Sequence, residues 1–233
     1  MYVIHTLPLI IMKKLNRLIL IILFLGLYST SSAKYYRDDL YSMIIKAEEI
    51  VYGTIVEIDS KTFTLSIDSS LTSNREIIKI ERFENWACAQ RWTKYEVGQK
   101  VLLFLSKRKR KWYSMSAGNE GELPIVENSV FLNGFSVPIP PPPNLFIEIE
   151  IDDENLGFNL EHHNIYGGRF FGTKFKLNKF IEDISFIREN FDFEYGTDGK
   201  RINWKVKCDL EKIEQMANDS DIITCVYLLT RMK

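Results

Sequence analysis

The chain has no apolar run long enough to cross a bilayer as a helix: residues 18–27 are almost wholly apolar, but ten residues is half of the roughly 20 that a span needs. No cysteine follows that run closely, so a lipid-anchored bacterial lipoprotein is not expected. Histidine is scarce at three residues, and neither an EF-hand pattern nor an HExxH pattern is present, so the usual sequence routes to a calcium or zinc site are missing. No catalytic or cofactor motif and no internal repeat stands out. Charge of one sign is not in excess either, with 30 basic and 31 acidic residues. A near-neutral chain is a poor general binder of nucleic acid, because phosphate neutralisation supplies most non-specific affinity.

What is present begins with Lys13, Lys14 and Arg17, then the apolar run, then Ser31-Ser32-Ala33, the order of a signal peptide with a small-residue cleavage site. Residues 1–33 are therefore expected to be removed, leaving a mature chain from Lys34. Residues 1–11 place an uncharged apolar stretch ahead of the basic one, whereas Met12-Lys13-Lys14 is a normal signal start, which makes Met12 a candidate translational start. The signal carries three basic and no acidic residues, so residues 34–233 have a net charge of about −4. Their 200 residues, with globular apolar content, suffice for one large domain or two small ones.

Residues 38–49 place Leu40, Met43, Ile44 and Ala47 on one helical face behind Asp38 and Asp39. Strand-like runs follow at 50–58, 62–68, 77–83, 101–105 and 112–115, with turn signals between them, which points to a small antiparallel barrel or sandwich. Four consecutive prolines at 140–143 mark an extended, exposed connection, and residues 145–151 alternate apolar and acidic as a strand with one solvated face. From Tyr166 a different unit is expected: a turn punctuated by Gly167, Gly168 and Gly172, a helix bearing Leu177, Phe180, Ile181, Ile184, Ile187 and Phe191, a strand at 202–208 and a short helix capped by Asp209. Residues 222–232 fit a strand by β-branched content and a capped helix by spacing after Asp219-Ser220, the helix being slightly favoured.

The densest constellation runs from Phe83 to Trp92. Trp86, Arg91 and Trp92 could line a ligand groove, since aromatic faces stack on sugars or cations and Arg supplies planar donors. The favoured reading is that Trp86, Cys88 and Trp92 plug the end of a barrel on a connecting helix. Glu120 and Glu122, two apart, could hold a cation or act as an acid and base pair, or lie in a solvated turn with one of them paired to Arg91. Lys107-Arg108-Lys109-Arg110-Lys111 reads as a hairpin tip whose like charges stay in water, with a polyanion or anionic-lipid contact as the functional alternative. His162 and His163 are adjacent and would face opposite ways on an extended chain, so they are read as a surface loop rather than a metal site. Cys208 and Cys225 are expected to pair, leaving Cys88 as a small buried residue; the alternative is three reduced, buried thiols.

The stretch from Ala47 through Ile50, Val51, Gly53 and Val56, then Phe63-Thr64-Leu65-Ser66-Ile67, Cys88, and Gly98-Gln99-Lys100-Val101-Leu102-Leu103-Phe104-Leu105, resembles the netrin-like module shared with tissue inhibitors of metalloproteases. The resemblance covers about residues 40–115 and implies an OB-type barrel and a secreted binding or interaction module. Those inhibitors hold a protease zinc through an N-terminal cysteine, and Lys34 is no substitute, so that inhibitory chemistry is not implied. The unit from Tyr166 has no counterpart in the match.

The expected architecture is thus α+β: an OB-like barrel over residues 34–135, a proline-marked connection and strand over 136–165, and a smaller α/β unit over 166–233. The expected function is that of an exported, periplasmic or extracellular, non-enzymatic binding module with no cofactor or metal and a protein or glycan partner. An enzyme acting through Glu120 and Glu122 on an envelope or extracellular substrate is the alternative. A third reading is a structural protein that contacts another envelope protein through the basic hairpin or through Glu148 and Glu150.

Overall fold

Val101-Leu102-Leu103-Phe104-Leu105 has no polar residue on either side of its pleat, and all five side chains are buried. Such a run belongs to a strand covered on both faces. In the computed structural model it is the centre of β4 (Lys100–Arg108), which sends Val101, Leu103 and Leu105 into one core and Leu102 and Phe104 into another. Residues 38–86, 89–116, 120–134, 136, 158–195, 197 and 201–231 are described. The expected signal peptide, the alternative start at Met12, Cys88, the proline stretch and the expected strand at 145–151 lie outside them.

Five strands close into a barrel: β1 (Glu49–Ile58), β2 (Thr62–Ser70), β3 (Ile77–Glu81), β5 (Lys111–Ser114) and β4, in the order β1-β2-β3-β5-β4 with β4 returning to β1. All of these pairings are antiparallel except β3 with β5, which is parallel. Gly53 in β1 is required by close approach, because a Cβ there would collide with the Ser66 carbonyl of β2. Val51, Ile55, Phe63, Leu65, Ile78 and Ile80 fill the interior with the inward set from β4.

The sheet does not stop at the barrel. One edge of β4 serves β5 along Leu105–Arg108 and β6 (Glu122–Val126) along Lys100–Leu103, with the Phe104 N–H donating to the Gly121 carbonyl between them. From β6 the order continues through β7 (Ser129–Asn133) and β9 (Gly168–Lys176) to β8 (Glu161–Ile165) at the edge. Residues expected in the barrel and residues expected in the C-terminal unit therefore share one nine-stranded sheet. The expected turn is confined to Tyr166 and Gly167, at φ 49° and 74°, and residues 168–176 form a strand. Their glycines serve close packing: a Cβ at Gly168 would strike the Trp92 carbonyl. His162 and His163 lie in β8 rather than a loop and do face opposite ways, against Phe171 and Phe131 respectively.

Among the described residues, four helices join the core on the second face of β4. In α1 (Leu40–Lys46) the Asp39 side chain caps the Ser42 N–H at 2.7 Å. In α2 (Leu177–Asn190) Leu177, Phe180, Ile184 and Ile187 are buried, and Arg188 reaches the last carbonyls of α1, Ile44 at 2.6 Å and Ala47 at 2.9 Å. Phe191 begins β10 (Phe191–Tyr195), which pairs with β11 (Arg201–Val206), instead of extending the helix. Then come α3 (Leu210–Ala217) and α4 (Asp221–Arg231). The slightly favoured helix is thus the one formed at the C-terminus, with Ser220 Oγ accepting from the Ile223 N–H. Tyr41 of α1 donates to the Ile222 carbonyl across 181 residues of sequence, and both sit in the same core as Phe104.

Because Phe104 joins the sheet to that core, Phe104→Ala is expected to cost about 3–5 kcal/mol. Urea unfolding followed by far-ultraviolet circular dichroism and by tryptophan fluorescence should give coincident, equally shifted transitions. A separate early transition of the helices would show that they fold independently of the barrel.

Candidate functional site

Arg91 and Glu122 are the buried ion pair of the barrel end, with side chains 1% and 0% exposed. Arg91 is brought there by the segment between β3 and β4, and Glu122 is the first residue of β6. The Arg91 Nε donates to Glu122 Oε2 at 2.7 Å, and Tyr95 donates its hydroxyl proton to Glu122 Oε1, also at 2.7 Å. Arg91 Nη1 donates to the carbonyls of Thr93 and Lys94, and Nη2 to Gln99 Oε1. The guanidinium lies 4.0 Å from the ring centres of both Trp92 and Tyr95. Trp92 closes the network by donating from Nε1 to the Glu122 carbonyl.

Every charge in this cluster is met, as a buried pair requires. Burial, and next the Glu122 carboxylate beside it, push the Tyr95 phenol well above its ordinary pKa, so it stays a neutral donor. Glu122 has one strong donor on each carboxyl oxygen and lies in a strand instead of a solvated turn. Glu120 is buried too, at 4% exposure. The structure therefore brings Arg91, Trp92 and Glu122 together, as the pairing of Arg91 with one glutamate anticipated, and leaves Trp86 apart at 40% exposure. What the cluster does chemically is fix the 91–99 segment against β6, with both carboxylate oxygens of the fully buried Glu122 engaged.

Solvent-facing concavity lies just outside this plug. A cleft of about 320 Å3 is lined by Lys61, Glu81, Arg82, Arg108 and Tyr113 among others. A second, of about 300 Å3, is bounded by Lys61, Arg82, Asn85, Thr93, Lys94 and Tyr95. Both include Arg82, Phe83 and Glu84, so the segment after β3 runs between them. Arg82 is held by a 2.9 Å hydrogen bond from Nη1 to the Asp59 carbonyl of the β1–β2 turn and lies 5.0 Å from the Tyr95 ring. The basic run forms the expected hairpin, with Lys109 and Arg110 as its two turn residues, both at positive φ (47° and 68°). Lys61 and Arg82 carry no local sequence signal. They join Arg108 only because the β1–β2 turn and the end of β3 reach the same end of the barrel.

Among the described residues no group of three or more His, Cys, Asp or Glu could hold a metal ion, and no helix is long and apolar enough to cross a membrane. The disulfide expected between Cys208 and Cys225 is not formed. Both are free thiols, Cys225 fully buried on the inner side of α4 beside Tyr41 and Cys208 half-buried after β11. Burial, then the nearby Asp221 carboxylate, push the Cys225 thiol up to about 12. No protein-family model matches the chain, and no curated protein or solved structure matches it.

Arg91→Met should destabilise by about 3–5 kcal/mol, because it strands a buried carboxylate, while Arg91→Met with Glu122→Leu should cost clearly less than the sum of the single changes. Chemical denaturation of the three variants measures the coupling. For the thiols, iodoacetamide at pH 8 should leave Cys225 unmodified in the native protein and alkylate it fully after unfolding without reductant. Peptide mapping that finds Cys208 and Cys225 both unalkylated until reduction would restore the disulfide.

Proposed function

We propose that this chain is an exported, non-enzymatic binding module of the cell envelope or exterior. Its barrel is of the OB class, and its contact surface is the barrel end where the β1–β2 turn, the segment after β3 and the β4–β5 hairpin meet. Five strands closed in a non-sequential order support the OB class, in which the face of the second and third strands and the β1–β2 and β4–β5 loops commonly take ligands. The runs 50–56, 63–67 and 100–105 of the resemblance to the netrin-like module lie in β1, β2 and β4, and export rests on the signal-like residues 13–33.

The observation that carries the reading is the pair of adjoining clefts on either side of the Arg82-Phe83-Glu84 segment. Surface concavity with fixed polar groups is what a binding site needs. The enzyme alternative loses support in the same place, since the two oxygens of Glu122 are held by Arg91 and Tyr95. The partner is a protein or a glycan.

Affinity capture from the producing cell's envelope and culture fluid tests this. The mature chain should retain one specific partner that is lost with Lys61→Glu/Arg82→Glu and kept with Trp86→Ala. A partner retained equally by all three would place the contact surface elsewhere.

A further inference from the structure

We propose that the β4–β5 hairpin and the clefts at its base bind an extended polyanionic glycan, a polysaccharide carrying sulfate, phosphate or uronate groups. This rests on the binding-module reading and names the class of its ligand.

Charge is the first ground. Lys61, Arg82, Lys94 and Arg108 line the two clefts beside Glu81 and Glu84, and the hairpin adds Lys107, Lys109, Arg110 and Lys111; of these eight cations only Lys111 has a carboxylate partner among the described residues, Glu81 at 2.6 Å. The neighbouring Asp59 is bonded instead to Lys79, at 3.1 Å. A chain that is weakly acidic overall therefore presents a concentrated positive end, which attracts an anionic chain over the range of the Debye length.

Several of these cations are also seated in advance. Arg82 lies over Tyr95, Arg108 over Tyr113 at 6.0 Å, and Lys107 over Trp112 at 5.2 Å, with Arg75 approaching the same indole at 5.9 Å. A cation held on an aromatic face loses less freedom when an anion arrives. The turn adds an independent sign. Tight hairpins with positive φ at both central residues favour Asn-Gly, and here Lys109 and Arg110 occupy those positions against that preference.

The same contacts select the ligand. Bases need free aromatic faces to stack on, whereas Tyr95, Tyr113 and Trp112 already carry cations. A bilayer favours apolar side chains that insert, and the exposed large apolar residues among those described, such as Val56, Ile77 and Val97, line neither cleft. Acidic sugars need cations, hydrogen-bond donors and concavity, all of which are present.

Binding of a heparin oligosaccharide of defined length to the full mature chain, measured by calorimetry across a salt series, tests the assignment. Affinity should fall at least about tenfold between about 50 and 200 mM salt. Lys109→Asn/Arg110→Gly should weaken binding about tenfold at low salt and make the log–log salt slope shallower by about two. Its thermal midpoint should hold or rise, since Asn-Gly suits the turn, so lost binding cannot be put down to lost folding. Unchanged affinity and slope in that variant would overturn the proposal, as would equal binding of uncharged dextran. Tighter binding of oligothymidylate than of heparin, or binding to phosphatidylglycerol vesicles without binding to the soluble oligosaccharide, would also overturn it. A captured partner that depends on Lys61 and Arg82 while heparin fails to bind would overturn the glycan assignment and leave the binding-module reading standing.

Discussion

Two-sided burial of β4 is the constraint on which the rest of the structure depends. A strand with apolar side chains on both faces cannot rest in a barrel alone, because the outward set would meet water. Leu102 and Phe104 therefore require a second cover, and helices α1 to α4 supply it. The same strand also carries three neighbours, β1 on one edge and β5 and β6 in succession on the other. Barrel closure, sheet extension and helix docking are thus consequences of one five-residue apolar run.

Extending the sheet at β6 sets up the second dependence. Glu122 opens that strand next to the barrel interior, where an unpaired carboxylate would be costly, and Arg91 meets it across 31 residues of sequence. The pair forces the 91–99 segment to fold inward and presents its outer margin, Thr93 and Lys94, to one of the clefts. A charge buried for structural reasons thereby shapes a surface made of other charges. The two sets do opposite things: the inner set is saturated and rigid, while most of the outer set faces water.

The five barrel strands were legible in the sequence because half-buried strands alternate, as Phe63, Leu65 and Ile67 do, and the basic run was legible as a turn because five like charges have nowhere to go but water. Strands β6 to β9 were not. Glu122 looks like a turn residue until Arg91 is placed beside it, and Gly168 and Gly172 look like breakers until the backbones they approach are known. The acidic start of α1 at Asp38 and Asp39 and the face of α2 are local facts and were readable. The clefts join Lys61, Arg82 and Arg108 from three separate segments, and only barrel closure makes them neighbours. The elements of the candidate site within reach of sequence were the basic hairpin and the pairing of Arg91 with a glutamate.

The hydrogen bond from Tyr41 to Ile222 carries a consequence for the order of events in synthesis. Helix α1 is among the first described elements to be made, yet its buried tyrosine finds its acceptor in the last helix. Pairing of β1 with β4 likewise spans about fifty residues. Long-range closure of this kind slows folding. The buried tyrosine of α1 therefore waits, without its acceptor, until α4 has been delivered, and a chain that waits in this way stays threadable for as long as α4 is missing.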